Sequence, residues 1–259
     1  MHKQIGLTCP VPSEYGPLNN VVAGVRRLAK RPVKQSRPVT PVILRNLLKT
    51  KPPPNACGTK LQTLQVFRTY ALIAFQSMLR SSNLVPTSRT QIDLDAVLTW
   101  GSVRPVAGGG YVIHVGKSKT IQNRERTHMV PLATCRDPNF CPVLALDGLL
   151  DLYGRSNCAA LTPVFRLPST VGWHPMIKAE FLSFFRLRLT QMNLDPADYS
   201  LHGFRHGGIQ QCLLTEPNLG LCQLASDHRS DAILVYNGVP PERRMFMSAR
   251  VNESLILPQ

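Results

Sequence analysis

Acidic residues are scarce in this chain. Of 259 residues, fifteen are Asp or Glu against thirty Lys or Arg, a formal net charge of +15 and a pI near 10.0. A surface so unbalanced calls for a polyanionic partner, and nucleic acid is the first expectation. Long apolar runs are missing as well. None reaches the roughly 20 residues that a helical membrane span needs, and Met1–Pro10 lacks the apolar stretch of a secretory signal. The expectation is a soluble protein that works inside the cell with no membrane partner. Paired cysteines are absent too. The seven cysteines form no C-x-x-C spacing, which argues against a cysteine zinc site and a disulfide framework. Free thiols fit a reducing compartment. There is no internal repeat.

What is present is distributed unevenly. Residues 1–60 hold eleven Lys or Arg and a single acid, Glu14. Prolines 10, 12, 17, 32 and 38 interrupt the beginning of the chain, and Gly24–Arg37 reads GVRRLAKRPVKQSR. Residues 1–37 are therefore expected to be a basic, proline-interrupted arm, with the main domain spanning 38–259. The run also has the composition of a nuclear-import signal. Its Arg26, Arg27, Lys30, Arg31, Lys34 and Arg37 are expected to meet phosphates without reading bases.

Periodicity then predicts a mainly α protein with one small antiparallel sheet, an α+β class. VTPVILRNLLKT has the form of a helix with Thr40 as N-cap and Pro41 in the first turn, ended by KPPPNACG. Leu61–Leu84 is apolar nearly all round in its middle, so a buried helix is expected there, with Arg80 at its C-terminal end. Gly108–Gly110 predict a turn, Tyr111–Val115 a strand and THMVPLA its returning partner. The connection of that hairpin carries Lys117, Lys119, Arg124 and Arg126, all placed to contact DNA. Cys141–Tyr153 and Met176–Met192 read as amphipathic helices, the second burying Ile177, Phe181, Phe184, Phe185 and Leu189. EPNLGLCQLASDH reads as a turn and short helix, and SDAILVY as a last helix capped by Ser230.

The stretch SLHGFRHGGIQQ, Ser200–Gln211, concentrates polar chemistry. Ser200 is the expected helix cap. His202, Arg205 and His206 share one helical face, which suits a solvated surface or, for the two histidines, half of a metal site. No acid follows the first histidine and no third ligand is evident, so a metal is not expected. Gly207 and Gly208 would let this helix approach a neighbour or a DNA backbone closely.

Other residues complete a set: Arg80 on the buried helix, Lys119 in VIHVGKSKT, His202-x-x-Arg205, and His228 eight residues before Tyr236. In this order the set resembles the tyrosine recombinase, or phage-type integrase, family over roughly residues 38–250. CPVLAL, GKSKTIQ and SDHRSDAILVY look most like the recombinases of DIRS-like, Ngaro and Crypton mobile elements. The resemblance implies the family's DNA breaking-rejoining catalytic-domain fold and site-specific cutting and rejoining of double-stranded DNA, without cofactor or metal, by a dimer or tetramer assembled on the DNA. In a eukaryotic host the location would be the nucleus. It also implies that Arg80 and Arg205 hold the scissile phosphate, that His202 and His228 complete the pocket, that Lys119 protonates the leaving 5′-oxygen, and that Tyr236 is the nucleophile. Lys117 competes with Lys119 for the lysine role, because some relatives place the lysine directly after the glycine. Asn83 stands where the family often has an acid, and Asp227, beside Ser226, where a glycine is common.

The residue types suit the chemistry. A phenol with a free pKa of about 10 needs a proton acceptor and a positive neighbourhood, and a histidine accepts protons near neutrality. Guanidinium forks match a phosphorane's non-bridging oxygens better than ammonium groups do. Two other readings use the same residues. One is a recombinase-like protein that binds DNA without cutting it. The other is a type IB topoisomerase, although Tyr236 so soon after His228 fits a recombinase better.

Overall fold

The computed structural model describes residues 36–52, 56, 58–118, 121, 126–216, 218–227 and 241–256. Helix α1 (Pro41–Leu48) starts as its sequence dictates. The Thr40 side chain accepts from the Ile43 amide, Pro41 occupies the first turn, and Ile43, Leu44, Leu47 and Leu48 are buried. Helix α2 (Gly58–Gln76) is the hub of the core, lined by Val66, Phe67, Tyr70, Ile73 and Phe75. An apolar surface on every side suits a helix that must pack against neighbours all round.

The expected Leu61–Leu84 helix is interrupted. After Gln76 the chain leaves helical geometry, and Met78 adopts φ +52°. Ser77 Oγ accepts from the Leu79 amide, and the short helix α3 (Ser81–Leu84) begins anew. Arg80 is therefore not on the last turn of a long helix. It is the extended N-cap residue of α3, with φ −68° and ψ 143°. At the break the Met78 carbonyl accepts from the Arg205 guanidinium.

Strands β1 (Val103–Pro105), β2 (Tyr111–Val115) and β3 (His128–Leu132) form an antiparallel sheet in that order. Ile113 pairs with Val130, and both face the core together with Leu132. Alternate positions such as His114 and Met129 are half-buried on the other face. The predicted hairpin is thus present, with β1 added to it. Helix α4 (Pro142–Tyr153) then packs on α2.

A second antiparallel pair, β4 (Arg166–Ser169) and β5 (Gly172–Pro175), was not expected from the sequence. It leads into helix α5 (Lys178–Gln191), which buries Phe181, Phe185 and Leu189 and leaves Ile177, before its first turn, half-buried. Phe181 and Phe185 join Tyr70 and Phe204 in an aromatic cluster. Tyr70 and Phe181 lie 4.1 Å apart by ring centroids, Phe185 and Phe204 4.9 Å.

Helix α6 (His202–Thr215) packs against α2 at very short range. A Cβ on Gly207 would lie 1.9 Å from the Val39 carbonyl oxygen, and one on Gly208 2.1 Å from that of Phe75. The glycine pair therefore serves contact with neighbouring chain. Ser200 does help to start the helix, one position before the geometric cap Leu201, with its Oγ accepting from the His202 amide at 3.2 Å. Helix α7 (Leu219–Ala225) follows, capped by Asn218.

The predicted SDAILVY helix lies outside the described residues. A terminal helix that was not predicted, α8 (Pro241–Ile256), buries Val251 and Leu255. Asn252 Nδ2 donates to the Ala133 carbonyl at 3.0 Å, and Arg45 Nε to that of Leu255 at 2.6 Å. Together these make an α+β domain with small antiparallel sheets. Among the described residues no helix is long and apolar enough to cross a membrane.

Candidate active site

Three arginines from separate parts of the chain meet at the turn after α7. Arg205, on the first turns of α6, is 3% exposed. Its Nη1 donates to the Met78 carbonyl and its Nη2 to the Ser226 carbonyl. Burial, with the Arg80 charge adding to it and the Asp227 carboxylate opposing, pulls its pKa down to about 10. It remains a cation at neutral pH. Arg80 reaches the same turn from the start of α3. Its Nη1 lies 3.8 Å from Asp227 Oδ2, and its side chain is 23% exposed. Arg126, from the end of the β2–β3 connection, donates to Asp227 Oδ1 at 2.5 Å.

Asp227 itself is 4% exposed and adopts φ +54°. That left-handed conformation is uncommon for a residue with a Cβ, and Asp and Asn enter it most readily. Asp227 thus holds a backbone conformation that glycine adopts freely and adds a carboxylate there.

His202 is exposed at the start of α6, and its ring lies 4.3 Å from that of His206 in an edge-on arrangement. Among the described residues no group of three or more His, Cys, Asp and Glu side chains could hold a metal. Lys117, at the base of the hairpin, pairs with Asp93 at 2.5 Å. That hydrogen bond, first among the causes, holds the Asp93 carboxyl below the usual range. Asn83, buried three residues after Arg80, donates to the carbonyls of Lys117 at 2.9 Å and Ala96 at 3.2 Å. The residue that replaces the expected acid thus ties the hairpin base to the Arg80 segment. Ser118 and Ile121 exchange backbone hydrogen bonds in the same connection.

Lys119, Arg124, His228 and Tyr236 lie outside the described residues, as do Arg26, Arg27, Lys30, Arg31 and Lys34. Arg37 is described and pairs with Asp198 at 3.2 Å, while its amide donates to the Asp198 carbonyl. Of the expected set, then, Arg80 and Arg205 come together, His202 stands on the helix that carries Arg205, and His228 follows directly after the turn they share. Asp227 was noticed in the sequence only as a departure from a pattern. Arg126 was expected on a DNA-contacting loop, and nothing in the local sequence marks its ion pair with a residue 101 positions away.

No protein-family model and no curated protein matches the chain. Among solved structures, the integrase from mycobacterium phage Brujita aligns over 92% of this chain and 70% of its own, at 15% identity and a TM-score of 0.48. The Tn1549 transposon integrase, in complex with transposon right end DNA, aligns over 94% of this chain and 79% of its own, at 13% identity and a TM-score of 0.43. With TM-scores below 0.5, neither likeness says anything of this chain's chemistry.

Proposed function

We propose that the protein is a DNA strand transferase of the tyrosine-recombinase kind, acting on double-stranded DNA. One observation carries the reading. Arg80 and Arg205, far apart in sequence, converge on the turn at Ser226–Asp227, and His228 is the next residue. Three guanidinium groups gather there around a single carboxylate, which leaves a net positive cluster that suits a phosphodiester. The net charge of +15 suits the same partner.

In this reading the Tyr236 phenol gives its proton to His202 and attacks the scissile phosphorus. The bond from phosphorus to the 5′-oxygen breaks, and Lys119 protonates that oxygen. A 3′-phosphotyrosine and a free 5′-hydroxyl result. Attack of a 5′-hydroxyl on the phosphotyrosine reverses the step and rejoins the strands, so the bond energy is kept. His228 completes the pocket, while Lys117, Arg124 and the basic residues before position 38 add phosphate contacts. The other tyrosines of the main domain suit the role poorly. Tyr70, Tyr153 and Tyr199 are buried. Tyr111 donates to Asp147 at 2.6 Å, and burial together with that hydrogen bond pushes its pKa up to about 12. The proposal extends to mobile-element recombination, to assembly of two or four copies on DNA, and to the nucleus in a eukaryotic host.

The test is incubation with nicked suicide duplexes carrying candidate element ends, followed by denaturing electrophoresis. The expected outcome is a covalent protein–DNA adduct that Tyr236→Phe abolishes while DNA affinity persists. Adducts that survive Tyr236→Phe would overturn the assignment. Strong binding with no adduct from any substrate would favour the binding-only reading.

A further inference from the structure

We infer that Asp227 is a positioning residue for the phosphate site, aligning Arg80 and Arg126 so that three arginines, and not two, face the scissile phosphate. The inference rests on the strand-transferase reading and adds to it a third cation and the group that orients it.

Three observations support it. First, the Asp227 carboxylate is divided between two arginines. Oδ1 accepts from Arg126 at 2.5 Å and Oδ2 faces Arg80 at 3.8 Å. The tight contact pins the carboxylate, and the loose one draws the Arg80 guanidinium toward it while the Arg80 side chain stays 23% exposed. Second, the turn is built to present that carboxylate. Ser226 Oγ donates to the Cys222 carbonyl at 2.7 Å, and the Ser226 carbonyl accepts from Arg205. Asp227 then takes φ +54°. Two adjacent residues thereby engage all three arginines. Third, the charge balance demands such a group. Arg80 already destabilises the cationic form of Arg205, and a third arginine brought close would add to the repulsion. One buried carboxylate offsets part of it and leaves a net positive site for an anion.

Arg126 thereby changes its place in the account. It sits at the end of the hairpin connection that carries Lys117 and Lys119, and through Asp227 it ties that connection to the turn before His228. Motion of the hairpin would then be coupled to the alignment of Arg80.

The experiment compares wild type with Asp227→Asn and Asp227→Gly. Both substitutions tolerate a positive φ; the first removes only the charge, the second the whole side chain. Thermal melting establishes that each variant folds. Affinity for a duplex and single-turnover cleavage of a saturating suicide substrate are then measured separately. Positioning predicts affinity that is unchanged or slightly tighter, because a negative charge is lost, with cleavage slower by roughly 10-fold to 10²-fold. Cleavage that is unchanged or faster in both variants would overturn it, since a carboxylate that merely competes with phosphate gives that result. If wild type itself forms no adduct, the strand-transferase reading fails by itself. The positioning claim is then decided without DNA, by hydrogen exchange at the guanidinium protons of Arg80 and Arg126. Slower exchange in wild type than in Asp227→Asn is expected, and equal exchange would overturn the claim.

Discussion

The arginine cluster around Arg205 and the hairpin base around Lys117 place the same kind of charge in two different settings. Arg205 is 3% exposed, donates to two backbone carbonyls and is displaced downward in pKa by burial. Lys117 is 42% exposed at its side chain and pairs with an Asp93 that is 47% exposed. Burying a cation is costly, and the surrounding chain is shaped to offset that cost: a left-handed Met78, a turn at Ser226 and glycines that let α6 come close. An exposed ion pair needs none of this and is easily exchanged for a phosphate. The difference separates a site that is constructed from a surface that is merely charged.

The largest effect should come from breaking the construction. Gly207→Ala and Gly208→Ala force α6 away from the Val39 and Phe75 carbonyls, and each should lose about 3 kcal/mol or more of stability in urea unfolding. Gly116→Ala at the hairpin base, where an added Cβ meets nothing within 4 Å, should stay within about 0.5 kcal/mol. The next largest effect separates Arg205 from Arg80. Arg205→Ala leaves the Met78 and Ser226 carbonyls without their donor, a loss of about 2–4 kcal/mol. Arg80→Ala, partly exposed and loosely paired, should cost less than about 1 kcal/mol. Equal losses in denaturant titrations would erase the distinction. Asn83→Ala should fall between the two, at about 1–2 kcal/mol, because two half-buried carbonyls lose a donor. Lys117→Ala should be the smallest, within about 0.5 kcal/mol in stability. It should also lower the slope of log affinity against log salt by about 1, as read in duplex titrations.

Local chemistry was legible in the sequence. Thr40 and Pro41 announce α1, the apolar middle of α2 announces a buried helix, and the glycine turn with the strand composition of Tyr111–Val115 announces the hairpin. Features dictated from a distance were not. The break after Gln76 brings the Met78 carbonyl to Arg205, a partner 127 positions away. Strand β4 buries its Arg166 under the Tyr153 ring, with 4.1 Å from guanidinium carbon to ring centroid, so it lacks the apolar alternation that marks a strand. In the site, Arg80, His202 and Arg205 stand out in the sequence through the family resemblance, and their proposed roles rest on it. The gathering of Arg80 and Arg126 about a carboxylate could not, because it requires Asp227 to hold a backbone conformation that its sequence neighbours do not announce.

The central claim is that Arg80 and Arg205 clamp a scissile phosphate through planar forks. It is tested most directly by single-turnover cleavage of a suicide duplex at saturating concentration, comparing wild type with Arg80→Lys and Arg205→Lys. The expected result is folded variants that cleave slower by about 10² or more, because a point charge cannot supply the paired donors. Cleavage near the wild-type rate by both variants would contradict it.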